Sequence, residues 1–584
     1  MLRLLMRMVQ MIVECVPPSL RVHLRENALL ASLYTAWLCK AKLHPSVNAR
    51  IAVGNARHQF VEKGDRLYAN CMAHHNALLE HARDKQSIVR HVDTCLIDLS
   101  SLVLEQPPII EALLEQTLHS ISCCYEHPKQ VCIVYDAYKP PRRLLNAHKK
   151  AFNIKLVSAA KASAAAVKPN TCMFAINAGD LLHRECFSAL NRANIQGYIA
   201  YVDTDKIHQG QRFDPAFFPD WNPDLHLSTR YIKTGLLIDK SEEYLRRFFE
   251  HQARVSSFVQ AEYLADTQIT ISHLPFVLLH QQARTSEPEQ PRDTSELFEL
   301  KGQPLVSMII PTYNGYDILK DCVESILEKT TYTHYDICVI NNNSDDQETL
   351  EYLNKLKRHP KITVLDYLKP FNYSAINNFA VAQVKGDVIA LMNNDVEIIE
   401  GDWLDKMLKH VMREDIGCVG AKLLYSNELV QHAGVVMGYG GGAGHAHKYL
   451  PKERPGYLQR AIATQNYSAV TAACLLVTRE DYESVGGLNE TDLTVAFNDV
   501  DFCLSILELG KRNVFVAEAL LFHHESISRG HEDTLEKQKR FQAEVKYMQQ
   551  KWAAYIEHDP AYNPNLTLRY ENFSIRENLE QIPL

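Results

Sequence analysis

Two amides and a carboxylate stand together directly after an apolar run of the chain. The segment Asn393-Asn394-Asp395-Val396-Glu397 follows the apolar residues 388–392. A carboxylate at the end of a strand, flanked by side-chain amides, is well placed to bind a hard divalent cation through oxygen. Such a cation would bridge a diphosphate and neutralise the charge that grows on it as it leaves. The alternative is an Asx turn, because Asn and Asp are also favoured in turns for local reasons.

A second candidate is the pair of acids Asp499 and Asp501, separated by one residue in the segment NDVDFC. Two helical positions that are two residues apart do not face the same side, so we expect different roles for them. Asp499 would project into a cleft, while Asp501 would cap the helix or pack at its start. A buried carboxylate could accept a proton from a sugar hydroxyl. The alternative assigns both acids to capping.

Adjacent histidines, His523 and His524, follow the strand-like run 513–515. Neighbouring side chains of an extended chain point to opposite sides, so at most one of the two would bind a metal. An ordinary core or surface histidine is the alternative for either.

A glycine-rich segment, residues 431–447, lies between these motifs and carries Gly440 to Gly442 and Gly444 close to histidines. It does not match the phosphate-binding loop, because no lysine follows the last glycine at the required place. We expect a flexible lid over a bound donor, with a plain surface loop as the alternative.

Alternating strands and helices in the second half would position these motifs. The predicted strands are 306–310, 335–340, 362–365 and 387–392, and the predicted helices are 317–327, 348–357 and 374–383. Strands separated by such helices favour a mostly parallel sheet with right-handed crossovers. Ligands of such sheets bind beyond the carboxyl ends of the strands. The polar clusters 311–314, 341–346 and 393–395 each follow a strand, so we expect them along one edge.

The first half of the chain also alternates between predicted strands and helices. Short β-rich runs between helical stretches predict another α/β sheet, with strands at 94–99, 130–135, 154–157, 172–176 and 198–202. Residues 20–90 are rich in helix formers, and the polar segment 281–294, with its prolines, is the best linker candidate. The expected organisation is a helical region 1–90, an α/β domain 91–280, a linker 281–302, a second α/β domain 303–535, and a C-terminal helix and tail 536–584.

Composition excludes several classes of protein. A chain of 584 residues with 46% hydrophobic and 23% charged residues is globular rather than disordered. The net charge of −8 argues against a general affinity for nucleic acid. The 14 cysteines form no C-x-x-C motif, which favours a reduced interior over a disulfide framework. No apolar run approaches the ~18 residues of a membrane-spanning helix.

The N-terminal residues 1–16 carry Arg3 and Arg7 among apolar residues. They show neither the long apolar centre nor the small-residue cleavage site of a signal peptide. An amphipathic helix on a membrane surface and an ordinary helix packed on the next domain both fit this pattern.

Taken together, ordered motifs of the second half resemble the inverting family-two glycosyltransferases with a GT-A fold, particularly their bacterial rhamnosyltransferase-like branch. The motifs are VSMIIPTYN (306–314), INNNSDD (340–346), NNDVE (393–397), VTAACLLVTREDYESVGGLN (470–489), NDVDFC (498–503) and HHESISRG (523–530). The resemblance covers about residues 303–535, and the tail 559–575 is similar to the ending of that branch. It implies an α/β fold of GT-A-like (nucleotide-diphospho-sugar transferase) domains in tandem.

The resemblance implies a role for each matching residue. Asn341 stands where the family usually has an Asp that contacts the base, and its amide keeps the acceptor capacity and adds a donor. Asn393 and Asp395 stand at the ends of the family's D-x-D, which makes Asp395 the expected metal ligand. Asp499 matches the catalytic base, and His524 matches a late contact to the metal or diphosphate. The residues expected to bind the nucleotide sugar are Pro311, Thr312, Tyr313, Asn314, Asn341, Asn343, Asn393 and Asn394.

The mechanism implied by the resemblance is a single displacement. Asp499 deprotonates an acceptor hydroxyl, which attacks the anomeric carbon from the face opposite the nucleoside diphosphate, with Mg²⁺ or Mn²⁺ as cofactor. The expected donor is a nucleoside-diphosphate sugar, and the expected acceptor is a glycan or lipid-linked glycan of a surface polysaccharide such as O-antigen or capsule. The expected location is the cytoplasm, with peripheral contact to the inner face of the membrane and homo-oligomer formation as open questions; no nucleic-acid partner is expected.

Two other classes of function share features with this sequence. A catalytically inactive GT-A-fold protein for carbohydrate binding or assembly is the main alternative, although retention of Asp395, Asp499 and His524 counts against it. A nucleotidyltransferase is disfavoured, because residues 311–320 lack a glycine-rich basic loop.

The first α/β region resembles an altered copy of the second. Residues 201–207 and 212–227 are similar to a stretch of tandem members of the family, yet Ser100-Ser101-Leu102 stands where P-x-Y-N is expected. Asn177-Ala178-Gly179-Asp180 occupies the place of D-x-D, and Asp203 and Asp205 correspond to a later, acceptor-side segment. We expect a non-catalytic domain that serves as scaffold, acceptor guide or dimer surface; an active second transferase is the alternative.

Overall fold

The computed structural model describes residues 66–102, 104–161, 171–282, 289–524 and 535–576. The expectation of a membrane-surface helix at residues 1–16 therefore lies outside the described residues. The chain forms two compact units. One holds the described residues of 60–290 together with 562–567 and 575–576, and the other holds residues 291–561 and 568–574. The division at Gln290 falls within the predicted linker, although strand continues to Gln282.

The first unit is built on one curled sheet. Its helices are α1 (Arg66–Lys85), α2 (Pro107–Ser122), α3 (Arg142–Asn146), α4 (Cys186–Arg192), α5 (Pro223–Thr229), α6 (Glu242–Glu250) and α7 (Val255–Ala265). Its strands are β1 (Val92–Asp98), β2 (Gln130–Tyr135), β3 (Asn153–Ser158), β4 (Cys172–Asn177), β5 (Asp180–Leu182), β6 (Ile199–His208), β7 (Gln211–Ala216), β8 (Leu236–Ile238) and β9 (Ile271–Gln282). The strand order is β3-β2-β1-β4-β8-β6-β9-β5, and β7 pairs with β6.

The second unit repeats this plan. Its helices are α8 (Tyr316–Lys329), α9 (Gln347–Leu356), α10 (Tyr373–Val381), α11 (Trp403–Val411), α12 (Arg479–Ser484), α13 (Asn498–Leu507), α14 (Leu535–Lys551) and α15 (Ala553–Glu557). Its strands are β10 (Val306–Thr312), β11 (Tyr335–Asn341), β12 (Ile362–Asp366), β13 (Val388–Met392), β14 (Val396–Ile398), β15 (Ile416–Leu424), β16 (Val430–His432), β17 (Val435–Met437), β18 (Ala443–His445), β19 (Gln465–Tyr467), β20 (Cys474–Thr478) and β21 (Arg512–His523). The order β12-β11-β10-β13-β20-β15-β21-β14 matches that of the first sheet strand for strand. The predicted pair of α/β domains in tandem is confirmed.

The sheet of the second unit is mixed rather than mostly parallel. Strands β10 to β13 run parallel and are joined by helical crossovers, as predicted. The next strand in the sheet after β13 is β20. It runs antiparallel to β13. The last strands, β14 and β21, are again antiparallel to each other.

Apolar periodicity explains how the crossovers pack. Helix α8 buries Leu319, Cys322, Val323 and Ile326, which lie on one face at helical spacing. They pack with the buried residues of β10, β11 and β13 into one core. The polar residues that follow β11 also start the next helix. Asp346 accepts from the Thr349 N–H at 2.9 Å and so caps the N-terminus of α9.

Two further observations bear on the sequence expectations. None of the helices in the described ranges is long and apolar enough to cross a membrane. The cysteines of these ranges are unpaired thiols, and all but Cys123 are buried.

Candidate active site

The carboxyl ends of β10, β11 and β12 bring the first polar clusters to one edge. Thr312 pairs in register with Asn341, and Asn341 pairs with Asp366. Asn314 connects the clusters, since its side-chain oxygen accepts from the N–H groups of Asp345 and Asp346 at 2.9 and 3.1 Å. The structure thus brings clusters 311–314 and 341–346 together, as the sequence predicts.

Asn341 is held by the protein itself. Its Nδ2 donates to Asp366 Oδ1 at 2.8 Å, its Oδ1 accepts from the Ser344 N–H at 3.0 Å, and the residue is 8% exposed. The Asp366 side chain is 49% exposed. Sequence reasoning overlooked Asp366, although it follows the strand predicted at 362–365 as directly as the other polar clusters follow theirs. A carboxylate is therefore present beside the position where the resemblance expects one.

The remaining nucleotide-pocket candidates differ in exposure. Tyr313 is 51% exposed at the edge, and Pro311 is half-buried. Asn343 is exposed and its Nδ2 donates to the Lys369 carbonyl at 3.0 Å.

Thr312 links this edge to the second polar cluster, because its Oγ1 accepts from Asn394 Nδ2 at 3.0 Å. Within that cluster Asp395 is 6% exposed. His523 Nε2 lies 3.1 Å from both Asp395 Oδ1 and Asn393 Nδ2. The pairing of β14 with β21, which sets Val396 opposite His523, positions these groups.

The neighbouring His524 faces elsewhere. Its Nδ1 lies 2.7 Å from Ser426 Oγ and its Nε2 lies 3.2 Å from Glu397 Oε2. Only its backbone N–H reaches Asp395, by donating to the Asp395 carbonyl at 2.9 Å. The two histidines alternate as an extended chain requires. The structure brings His523, and not the side chain of His524, to the carboxylate expected to bind metal, so the assignment of His524 stays a prediction.

Asp499 is the second residue of α13 and is half-buried. Its Oδ2 accepts from the Ala472 N–H at 3.0 Å, and its Oδ1 accepts from the Val500 N–H at 2.9 Å. Burial raises the pKa of the Asp499 carboxyl, and these backbone bonds together with Thr471 oppose that rise. A carboxylate of raised pKa is a stronger base than an exposed one.

The two ends of the site meet at the start of β20. The Ala472 N–H donates to Asp499, while the carbonyl of the next residue, Ala473, accepts from the Asn393 N–H at 3.1 Å. Tyr373, which the sequence reasoning missed, adds a hydroxyl that donates to the Ala472 carbonyl at 3.2 Å. The base candidate and the D-x-D-like segment are therefore bonded to consecutive residues.

Asp501 has a different environment from Asp499. It is 4% exposed and accepts from Lys551 Nζ at 2.8 Å and from Trp552 Nε1 at 2.7 Å. It packs against the C-terminal helix, in line with the different roles predicted for the two acids.

The glycine-rich segment forms the β17–β18 hairpin. Gly438, Gly440 and Gly441 in its turn have φ values of +88°, +61° and +83°, which L side chains rarely adopt. A β-carbon at Gly442 would lie 3.6 Å from the Phe497 ring, two residues before Asp499. The turn thus borders the base candidate, and its action as a lid stays a prediction.

The donor set around Asp395 suits a cation that shares its ligands with a substrate. In the described ranges no three His, Cys, Asp or Glu side chains converge as a metal site. Mg²⁺ is typically held by one or two carboxylates together with substrate phosphates and waters, rather than by an all-protein cage. One carboxylate from Asp395, the Asn393 amide and the His523 imidazole fit that mode.

The first unit differs at the corresponding positions. Strand β5 pairs with β9 as β14 pairs with β21, which sets Gly179 opposite Asp395 in this comparison and places Asp180 at the first position of β5. Asp180 is 5% exposed and accepts from the Thr234 hydroxyl at 2.5 Å and from the Asn177 N–H at 2.9 Å. Helix α7 occupies the place of α13, and residues 253–261 around its start contain no acid. Asp203 and Asp205 are fully buried in β6.

Comparison with known proteins finds a family model that matches part of the second unit. The model of Glycosyl transferase family 2 matches residues 307–485. An uncharacterised protein (y4gI) of Sinorhizobium fredii is 42% identical over 417 residues, which are 64% of this chain and 46% of that protein. The O-antigen biosynthesis protein RfbC of Myxococcus xanthus is 31% identical over 432 residues, which are 65% of this chain and 32% of that protein.

A third relative is the O-antigen chain rhamnosyltransferase RfbN of Salmonella typhimurium, which is 25% identical over 223 residues, or 37% of this chain and 66% of that protein. The chain spans less than half the length of the first two relatives. The matched region carries the edge clusters and Asp395 but ends before Asp499. These matches confirm the resemblance to the rhamnosyltransferase-like branch. The match to Glycosyl transferase family 2 covers residues 307–485, which carry strands β11 to β20 of the second unit.

Proposed function

We propose that this chain transfers a sugar from a nucleoside-diphosphate donor to a growing glycan, with inversion at the anomeric carbon, in the synthesis of a surface polysaccharide such as O-antigen or capsule. The observation that carries the proposal is the meeting of Asp499 and Asn393 at Ala472 and Ala473. Leaving-group stabilisation and nucleophile activation are needed on opposite sides of the sugar, and this arrangement offers a group for each beside one strand end.

The donor base and ribose would bind at the edge formed by β10, β11 and β12. Tyr313 supplies an exposed ring, and the carboxylate of Asp366 supplies the acceptor that Asn341 has exchanged for an amide. Asn314 shapes this pocket by bonding the two turns together. Residues Pro311, Thr312, Asn343 and Asn394 would complete it.

The diphosphate would lie at Asp395. Mg²⁺ or Mn²⁺ held there by Asp395, with Asn393 and His523, would supply neutralisation of the leaving diphosphate. His523 orients the Asp395 carboxylate from 3.1 Å. His524 bonds Glu397 and Ser426 and, through its backbone, the Asp395 carbonyl, which leaves it as a candidate contact to the diphosphate.

Asp499 would act as the general base. Its Oδ2 is held by the Ala472 N–H, which orients the carboxylate, and burial raises its pKa. It would take the proton of the acceptor hydroxyl as that oxygen attacks the anomeric carbon from the face opposite the diphosphate. A positioned general base typically contributes about 10²–10⁴-fold to the rate.

The first unit would be non-catalytic. Gly179 stands in the place of Asp395, and the start of α7 offers no base. A scaffold, an acceptor guide or a dimer surface are the roles that we assign to it.

The names of two relatives, an O-antigen biosynthesis protein and an O-antigen chain rhamnosyltransferase, support a polysaccharide acceptor. We infer a glycan or lipid-linked glycan acceptor and work in the cytoplasm at the inner face of the membrane. Rhamnose is the first donor sugar to be tried.

A donor screen tests the proposal. Purified protein is mixed with Mg²⁺ or Mn²⁺, an acceptor extract and UDP-, GDP- or dTDP-linked sugars, including dTDP-rhamnose, and release of nucleoside diphosphate is followed. We expect release by the wild type, near-complete loss in Asp499→Asn and Asp395→Ala, and wild-type release by Glu414→Gln, an exposed acid of the same unit. Asp499→Asn should still bind donor.

Each contrary outcome has a defined meaning. Full turnover by Asp499→Asn would remove the proposed base. Activity that survives Asp395→Ala but disappears, per folded molecule, with Asp203→Asn or Asp205→Asn would move the chemistry to the first unit. Glycan binding without nucleotide release from any donor would favour the inactive carbohydrate-binding alternative.

A further inference from the structure

Helix α14 contacts the chain on both sides of Asp499. Its Glu544 bonds to Val495, four residues before Asp499, and its last residue, Lys551, bonds to Asp501, two residues after it. Its Gln549 also donates to the carbonyl of Gly441 in the glycine turn, at 2.8 Å. One helix therefore holds the segment that carries the base and the turn beside it.

The contact at Asp501 ties the first turn of α13 to the end of α14. The Asp501 carboxylate, 4% exposed, accepts a charge-assisted bond from Lys551 Nζ at 2.8 Å and a bond from Trp552 Nε1 at 2.7 Å. Charge-assisted bonds are the stronger ones in proteins. A buried carboxylate that loses its partners is strongly destabilising, so a shift of α13 away from α14 is opposed.

The contact at Glu544 begins a path of hydrogen bonds that leads to Ala472. The Glu544 side chain is 1% exposed, and its Oε1 accepts from the Val495 N–H at 2.9 Å and from Thr494 Oγ1 at 3.3 Å. The Thr494 carbonyl accepts from the Tyr373 N–H at 2.9 Å, and the Tyr373 hydroxyl donates to the carbonyl of Ala472. Ala472 is the residue whose N–H binds the base.

Between these anchors lies Phe497 in a left-handed conformation, with φ of +59°. Its ring lies 5.7 Å from the ring of Phe541 of α14, and a β-carbon at Gly442 would lie 3.6 Å from it on the side of the glycine turn. A bulky residue at positive φ persists when its surroundings over-determine it. Here α14 and the glycine turn are those surroundings.

We propose that α14 positions the general base, and that Glu544 and Asp501 are the positioning residues that set where Asp499 stands. The inference rests on the proposed function, because it takes Asp499 as the base. A base must stand within about 2.6–3.2 Å of the proton it takes, and a misplacement of about 1 Å costs about 10²-fold in rate. The α14 contacts fall on α13, the segment before it and the glycine turn, whereas the donor pocket is carried by β10–β12. The positioning therefore acts on kcat and leaves donor binding unchanged.

The test compares two substitutions of one residue. Glu544→Ala removes the acceptor of the Val495 N–H, and we expect kcat to fall about 10²-fold with an unchanged donor KM. Glu544→Gln keeps an oxygen at the same place and should restore most of kcat. Lys546→Ala, an exposed residue of the same helix, should match the wild type. The thermal unfolding of each variant is measured beside its kinetics.

A second readout does not need activity. Amide hydrogen exchange of residues 493–501 should be faster in Glu544→Ala than in the wild type and normal in Glu544→Gln. If the wild type releases no nucleoside diphosphate from any donor, the proposed function fails, while this exchange still decides whether α14 holds the segment.

Several results would overturn the proposal. These are an unchanged kcat in Glu544→Ala, a change confined to the donor KM, or unchanged exchange of residues 493–501. Should Glu544→Ala fail to fold, Trp552→Phe takes its place, since it keeps a ring and removes the N–H bound to Asp501. A fall in its kcat of about tenfold, as expected for a lost bond to a charged group, supports the proposal, and wild-type kcat contradicts it.

Discussion

The backbone N–H of Ala472 donates to Asp499 Oδ2 at 3.0 Å. This bond orients one oxygen of the half-buried carboxylate from the residue that stands two positions before β20. The next residue, Ala473, accepts from the Asn393 N–H, so the backbone bonds that orient the base and the D-x-D-like segment lie on adjacent residues just before β20. The geometry of the base and of the D-x-D-like segment is thus a property of one strand end.

The pH dependence of the reaction follows from the environment of Asp499. Burial raises the pKa of this carboxyl, and the base must be ionised to accept a proton. We expect kcat to fall on the acid side at a pH above the ~3.9 of an exposed Asp. Rates of nucleoside diphosphate release measured across pH check this, with the stability of the protein measured at each pH as control. An acid limb that persists unchanged in residual turnover by Asp499→Asn would assign it to another group.

The raised pKa of the Asp499 carboxyl also affects the stability of the fold. Since the folded-state pKa is above the unfolded one, the folded protein binds the proton more tightly, and stability is lost as pH rises through the folded pKa. Asp499→Asn, which stays neutral, should therefore unfold at a higher temperature than the wild type at pH 7. The difference should vanish at a pH below the unfolded pKa. A variant less stable than the wild type at pH 7 would show that the bonds to Ala472 and Val500 outweigh burial.

Much of the second unit could be predicted from its sequence. The predicted bounds of β10 to β13 agree with the structure to within two residues, and β10, β11 and β13 are almost wholly buried, which makes them nearly continuous apolar runs in sequence. The shared edge of the polar clusters followed from the parallel connection. The antiparallel part of the sheet was not predicted, because the residues of β20 carry no local signal for the direction in which this strand pairs with β13.

The details of the site were harder to predict. Which histidine faces Asp395 depends on the register of β21 with β14, and register is a property of two segments far apart in sequence. The bond from Glu544 to Val495 joins residues 49 positions apart and has no periodic signal. Asp366 was within reach of the sequence, because it ends a predicted strand.

The two histidines can be separated by their response to metal. His523 lies 3.1 Å from Asp395 Oδ1, so His523→Ala should raise the Mn²⁺ concentration needed for half-maximal activity by about 10–100-fold. His524→Ala should raise it less, because the ring of His524 bonds to Glu397 and Ser426. Activity titrated with Mn²⁺ measures both. A larger effect of His524→Ala would restore the assignment made from the sequence.

In the proposed nucleotide pocket, a carboxylate can be moved by substitution from position 366 to the neighbouring position 341. Asp366→Asn removes the carboxylate beside Asn341, and we expect the donor KM to rise about tenfold with kcat unchanged, as for the loss of one bond to a charged group. Adding Asn341→Asp returns a carboxylate to the neighbouring position and should lower KM again. Steady-state kinetics of the single and double variants check this. Equal KM values in the wild type and Asp366→Asn would remove Asp366 from the pocket.

Two glycines of the turn separate the cost of backbone strain at positive φ from the cost of a steric clash by an added β-carbon. At Gly440 an added β-carbon meets nothing within 4 Å, so Gly440→Ala should cost about 1 kcal/mol from its φ of +61° alone. At Gly438, with φ of +88°, the β-carbon would also lie 2.7 Å from the Ile556 carbonyl. Gly438→Ala should therefore cost about 1–3 kcal/mol more than Gly440→Ala. Urea unfolding measures the difference, and equal costs would mean that Ile556 moves aside.

The buried acids of the first unit test where the chemistry lies. Asp205 is 1% exposed and accepts bonds from Arg212 Nε at 2.6 Å and from Tyr68, beside His280 Nδ1 at 2.7 Å. Burial opposes its ionisation, but the bond and charge of His280 and the charge of Arg212 outweigh burial and hold the pKa of Asp205 below its usual value.

An Asp with a depressed pKa contributes stability above its unfolded pKa and loses it as pH falls through the folded pKa. Asp205→Asn should therefore lower the free energy of unfolding at pH 7 by about 3–5 kcal/mol, as for one partner of a buried pair. The loss should shrink as the pH falls below 4. Nucleoside diphosphate release per folded molecule should stay at the wild-type level, in contrast to Asp395→Ala. Loss of release without loss of stability would place a reacting group in the first unit, because a purely structural acid cannot act on the rate without acting on the fold.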